Sequence, residues 1–124
     1  MRYELILPNY VPVSLNRLTR GRFRARVKLA KADKQLVGVY FKQSGIPPAT
    51  GQRRVSLVIT VGPGERRTDP DAQWKGLLDS LVACGALKND SAVWLSLGGV
   101  EWERAETAAG RRTVIVLEDL EDER

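Results

Sequence analysis

At 124 residues the chain has room for one domain with its own core and little beyond it. Its composition, 43% hydrophobic and 28% charged, is that of a soluble globular protein, and with no histidine it can build neither a His-based triad nor a His-ligated zinc site. The net charge of +5 hides an asymmetry: residues 1–54 hold 12 Lys/Arg against 2 Asp/Glu, whereas residues 55–124 hold 8 against 13. A basic half beside an acidic half suits an enzyme or binder of nucleic acid, one part for phosphates and the other for metal. The single Cys84 makes no internal disulfide, which fits a reducing compartment, and its place by an apolar helix side marks it as core. No apolar run is long enough to span a bilayer and no basic-then-apolar leader is evident, so the expectation is a cytoplasmic protein.

In chain order, Arg2 to Leu7 reads as a strand ended by Pro8, and Asn9 to Asn16 as a loop carrying Pro12. Arg17, Arg20, Arg22, Arg24, Arg26 and Lys28 then form a nearly alternating basic run, which in an extended segment would share one side. From Val27 to Gln43 the spacing turns helical, with Leu29, Ala32, Leu36, Val39 and Tyr40 on the core side. Ser44 to Gly51 is a turn-rich connector. Arg54 to Val61 is rich in β-branched residues and bounded by Gly62-Pro63-Gly64, the signature of a strand.

The stretch Thr68 to Asp90 reads as a helix with marked ends. Asp69 is placed to cap it, Pro70 suits the first helical position, and Gly85 suits a left-handed closing residue. Trp74, Leu77, Leu78, Leu81 and Val82 form its apolar face, and Asp71, Lys75 and Asp79 a charged stripe at spacing four. Taken singly, these residues read as a cap and a solvated ladder. Taken together, Asp69, Asp71 and Asp90 are hard oxygen donors of the kind that suits Mg²⁺ or Mn²⁺ beside phosphates. Val93 to Arg104 follows as a strand bulged at Gly98-Gly99, then a connection at residues 106–110, a last strand from Arg112 to Leu117, and an acidic tail over residues 118–124, expected to be mobile. The expected fold is one α+β domain over residues 1–124, helices packed on a mixed or mostly antiparallel sheet.

The segment Arg66 to Asp90, RRTDPDAQWKGLLDSLVACGALKND, resembles the core signature of RusA-type Holliday-junction resolvases. Matching positions are the basic pair Arg66-Arg67, then Asp69-Pro70-Asp71, Lys75, Asp79-Ser80-Leu81, Gly85 and Asn89-Asp90. The opening LPNYVPVSLNRLTRGR is similar to the family's strand, proline loop and Ser-x-Asn segment, placing Ser14 and Asn16. Ala72 and Asn89 depart from the pattern, where the family has Asn and Asp; residues 101–112 match poorly.

The resemblance implies a RusA-like homodimer that resolves four-way DNA junctions by Mg²⁺-dependent phosphodiester hydrolysis, acting on DNA in the nucleoid during recombination and repair. Asp69, Asp71 and Asp90 would hold the metal, with Mn²⁺ as a substitute, and the ion would polarise the phosphate and activate a water. Lys75 would stabilise charge developing in the transition state. Asn16, Arg17, Arg20, Arg22, Arg24, Arg26, Lys28, Arg66 and Arg67 would hold the DNA backbone. Trp94 and Trp102 fit either the dimer interface or the core. The departures at Ala72 and Asn89 motivate an alternative, a RusA-like module that binds junctions without cutting them.

Overall fold

The computed structural model describes the backbone of residues 1–8, 10, 23–64 and 70–120, with side chains of these residues except 23–30, 33 and 70–75. Four strands and two helices occur in the order β1 (Arg2–Pro8), α1 (Phe23–Ser44), β2 (Arg53–Val61), α2 (Pro70–Cys84), β3 (Leu95–Arg104) and β4 (Arg112–Asp119), with a short 3-10 helix at Ala108–Gly110. The strands form one mixed sheet in the order β1-β4-β2-β3. β4 lies antiparallel between β1 and β2, while β2 and β3 run parallel.

Period-two burial fixes how the sheet faces the helices. Leu5 and Leu7 of β1, Val55, Leu57 and Ile59 of β2, and Ile115 and Leu117 of β4 are all essentially inaccessible. They meet Val37 and Phe41 of α1 and Leu77 and Leu81 of α2 in one core. The opposite sheet face carries Glu4, Ile6, Arg54 and Val58 at intermediate or full exposure. Parallel pairing of β2 with β3 requires a crossover, which α2 supplies. β1 and β2, both antiparallel to β4, are likewise parallel, with α1 between them in sequence.

This topology gives the sheet two distinct ends. At the end where β2 and β3 begin, the Ala49 N–H donates to Gly85 O (2.9 Å) and the Arg53 N–H to Trp94 O (3.1 Å). Gly85, at φ +88°, closes α2 in the left-handed region that the expected cap requires. At the other end β1 and β2 finish, and the Thr113 hydroxyl donates to Tyr10 O (2.7 Å), tying the chain that leaves β1 to the start of β4.

Four expectations need correction. Of the residues expected on the core side of α1, Ala32 and Val39 are exposed, Leu36 and Tyr40 are partly buried, and Val37 and Phe41 take the core instead. α1 starts at Phe23, four residues before the apolar spacing indicates, so Arg24, Arg26 and Lys28 lie on a helix. Residues two apart are turned about 200° from one another on a helix, so these three do not share the side that an extended run would give them. The acidic tail is shorter than expected: Glu118 and Asp119 belong to β4, paired with Arg2 and with Arg53 and Arg54, and residues 121–124 lie outside the described residues. The turn before β3 runs through Trp94, so that strand starts at Leu95. The bulge at Gly98-Gly99 occurs where expected: three steps on β3, Leu97 to Val100, oppose two on β2, Val55 to Leu57.

Candidate functional site

The motif residues distribute over the β2–α2–β3 unit. Asn16, Arg17, Arg20, Arg22, Arg66, Arg67 and Asp69 lie outside the described residues. Asp71 and Lys75 stand one turn apart at the start of α2, and Arg24, Arg26 and Lys28 at the start of α1; only their backbone is described. Asp79 follows one turn after Lys75 and is exposed, as a solvated stripe requires.

Asp90 lies in the loop between α2 and β3, and that loop is held by its own bonds. The Ser91 N–H donates to Asn89 Oδ1 (3.1 Å), an Asx turn. The N–H groups of Trp94 and Leu95 both donate to Ser91 O (3.0 and 2.9 Å), and Gln52 Nε2 donates to Ala92 O (2.9 Å). Lys88 Nζ stands 5.0 Å from the centre of the Trp94 ring, a cation–π contact. Asn89, one of the departures from the resolvase signature, thus has a local backbone role, while Asp90 beside it is exposed to solvent.

The backbone sets Asp71 at the start of α2 and Asp90 beyond its end. Asp71 is in the first turn of α2, and Asp90 lies past Gly85, beside the start of β2. Thirteen residues of helix separate Asp71 from Cys84. At 1.5 Å per residue the helix alone sets roughly 20 Å between the two ends. Ligands of a single Mg²⁺ all lie about 2 Å from it. A one-chain Asp71–Asp90 site would have to bridge that length of helix.

Other charged groups have structural work. Arg53, the first residue of β2, is 1% exposed. Its Nε donates to Asp119 Oδ1 (2.7 Å), Nη1 to Ala86 O (3.1 Å) and Nη2 to Pro47 O (2.8 Å), and its guanidinium lies 5.3 Å from the Tyr3 ring centre. Sequence reasoning counted it with the basic surface. A signal was available, since Arg53 is in phase with the buried Val55, Leu57 and Ile59. Cys84 is half-buried, its thiol donating to Leu81 O (3.4 Å), and burial pushes its pKa above the ordinary value of 9.0. It packs against the core. Trp102 does so as well, at the outer strand β3.

No family model matches the sequence, and no curated protein matches it. The likeness to the resolvase signature is therefore carried by the motif residues themselves. No helix among the described residues is long and apolar enough to cross a membrane.

Proposed function

We propose that the chain is a Mg²⁺-dependent endonuclease of the RusA type, binding four-way DNA junctions as a homodimer and cutting them in paired strands. The observation that carries this reading is the order of the motif on the fold. Strand, basic pair, Asp-x-Asp at a helix start, and Asp90 in the loop entering the next strand follow one another on one β–α–β unit. The two basic segments, residues 11–22 and Arg66-Arg67, also leave the described chain at the same end: Tyr10 is tied to Thr113 there, and Gly64 follows the end of β2. That end would hold phosphates, next to Asp69, Asp71 and Lys75.

The distance between Asp71 and Asp90 shapes the reading. If all three carboxylates serve one metal, Asp90 must come from the second copy of a two-fold dimer, Asp69 and Asp71 from the first. Two such sites, related by the dimer axis, match the symmetry of a four-way junction. The same separation, with Ala72 and Asn89, supports the second reading, a module that binds junctions and does not cleave them.

A synthetic four-way junction separates the two. The first reading expects paired cuts with Mg²⁺ and none with EDTA. Retarded but intact junction under both conditions selects the second. Neither binding nor cleavage removes both.

A further inference from the structure

α1 carries six cationic residues, Arg24, Arg26, Lys28, Lys31, Lys34 and Lys42, against one carboxylate, Asp33. Its residues 31–44 lie outside both motif segments, 7–22 and 66–90, and none of them figures among the DNA contacts that the resemblance implies. Lys31, Lys34 and Lys42 are exposed, with Gln35 exposed between them. At about 100° per residue, Lys42 stands about 20° round the helix from Lys31 and Lys34 about 60°, so the three share one side. Asp33 stands about 200° from Lys31 on the backbone. None of the three lysines meets a carboxylate among the described residues, whereas Arg2, Arg53 and Arg54 pair with Glu4, Asp119 and Glu118.

We propose that this side of α1 is a phosphate-tracking surface for duplex DNA, holding linear and branched molecules alike. Sign is the first argument. A surface that only solubilises intersperses charges of both signs, and this one carries positive charge alone. Length is the second. Lys31 to Lys42 spans about 16 Å of helix axis. That equals the axial rise of about five nucleotides on one strand, at roughly 3.4 Å each. The chemistry of lysine sets how the strand is held. An ammonium is a point charge on a flexible stem, so it follows phosphates without demanding one geometry. Gln35 adds amide N–H groups that can donate to phosphate or sugar oxygens. Such contacts carry no sequence information, and they let a protein slide and hop along a duplex. The surface therefore keeps the protein on linear DNA between branches. An anionic lipid surface is the competing polyanion. A helix lying on a membrane buries a broad apolar face in it. On α1 that face belongs to the core: Val37 and Phe41 are buried and Leu36 and Tyr40 pack against them. Val39 is the one exposed large hydrophobic among the helix's described side chains. The choice of DNA rests on the function proposed above, but neither metal nor cleavage enters it.

The test is the salt dependence of binding to a fluorescent linear duplex and to a four-way junction, both without metal. Lys31→Gln combined with Lys42→Gln should lower the slope of log K against log salt by about 1.8, at about 0.9 per lost phosphate contact. Linear duplex and junction should weaken by the same factor, so preference for the junction is unchanged. Glutamine matches lysine in helix propensity, so the circular dichroism spectrum should not change. Arg2→Gln combined with Arg54→Gln removes the same charge from paired arginines on β1 and β2 and should keep the wild-type slope. An α1 variant with the wild-type slope overturns the inference. So does an equal fall in both variants, which would make net charge the cause and not this surface. Wild-type binding to phosphatidylserine vesicles that the α1 variant loses, its DNA slope unchanged, overturns it in favour of a membrane. A wild type that binds no DNA removes this inference and the proposed function together. A wild type that cuts nothing with Mg²⁺, while the α1 variant shows the lower slope, refutes the nuclease and leaves this surface standing.

Discussion

The guanidinium of Arg53 shows how one side chain can join elements far apart in sequence. Its four bonded partners or neighbours come from the loop after α1, the loop after α2, the end of β4 and the start of β1. Truncation would leave Ala86 O without its donor in a buried setting, and would also free Pro47 O nearer the surface and Asp119, whose side chain is 40% exposed. Arg53→Ala should therefore destabilise the fold by about 3 kcal/mol, read as a lower urea midpoint at unchanged slope. Arg53→Lys should recover only part of this, because a point charge cannot serve three acceptors as the fork does. Cys84 gives a pH-dependent counterpart. Burial raises its pKa, so the folded state holds the thiol proton more tightly than the unfolded state does. Its contribution to stability is intact below the ordinary thiol pKa of 9.0 and is lost as pH rises through the higher folded value. Thermal melts from about pH 8 to about pH 11 should fall more steeply for the wild type than for Cys84→Ala, and identical slopes would refute this.

At the scale of elements, the strands were the most legible part of the sequence. β2 shows its β-branched run and flanking Gly-Pro-Gly in the residues alone, and alternation along β1 and β4 follows from one face being buried. The α2 helix was equally plain, because cap, Pro70 and Gly85 agree with its apolar spacing. The start of α1 was not. Its first residues, Phe23 to Ala30, alternate basic and other residues with period two, which local pattern reads as extended, while the backbone is helical. The position of Asp90 was hidden for a different reason: sequence spacing to Asp71 says nothing about which end of the sheet a crossover returns to. The bulge in β3 offers a test. A Cβ at Gly98 would meet the Ser56 side chain at closer than contact distance and stand 3.1 Å from Val55 O. Gly98→Ala should cost about 1–3 kcal/mol. Ser56→Gly in the same protein should return part of it, because the two sites share one space. Additive losses in a double-mutant cycle would show that the close approach is not what the glycine serves.

At the scale of the whole molecule, the account turns on two ends of one sheet. The helix start that carries Asp71 lies at one end of α2, and the Asp90 loop follows its other end, beside the start of β2. A helix of 15 residues stands between them. The proposal that two chains related by a two-fold axis share the site is the central claim. Junction cleavage by mixed variants tests it directly. Asp71→Asn and Asp90→Asn should each be inactive with Mg²⁺, since every site in either homodimer lacks one carboxylate. In a mixed dimer with shared sites, one site lacks both carboxylates and the other lacks none. Mixing the two inactive proteins should therefore restore nicking of one strand at each junction, up to about half of the dimers in a statistical mixture. If the wild type cuts the junction and the mixture stays inert at every ratio, Asp90 does not act across the dimer and the shared site is wrong.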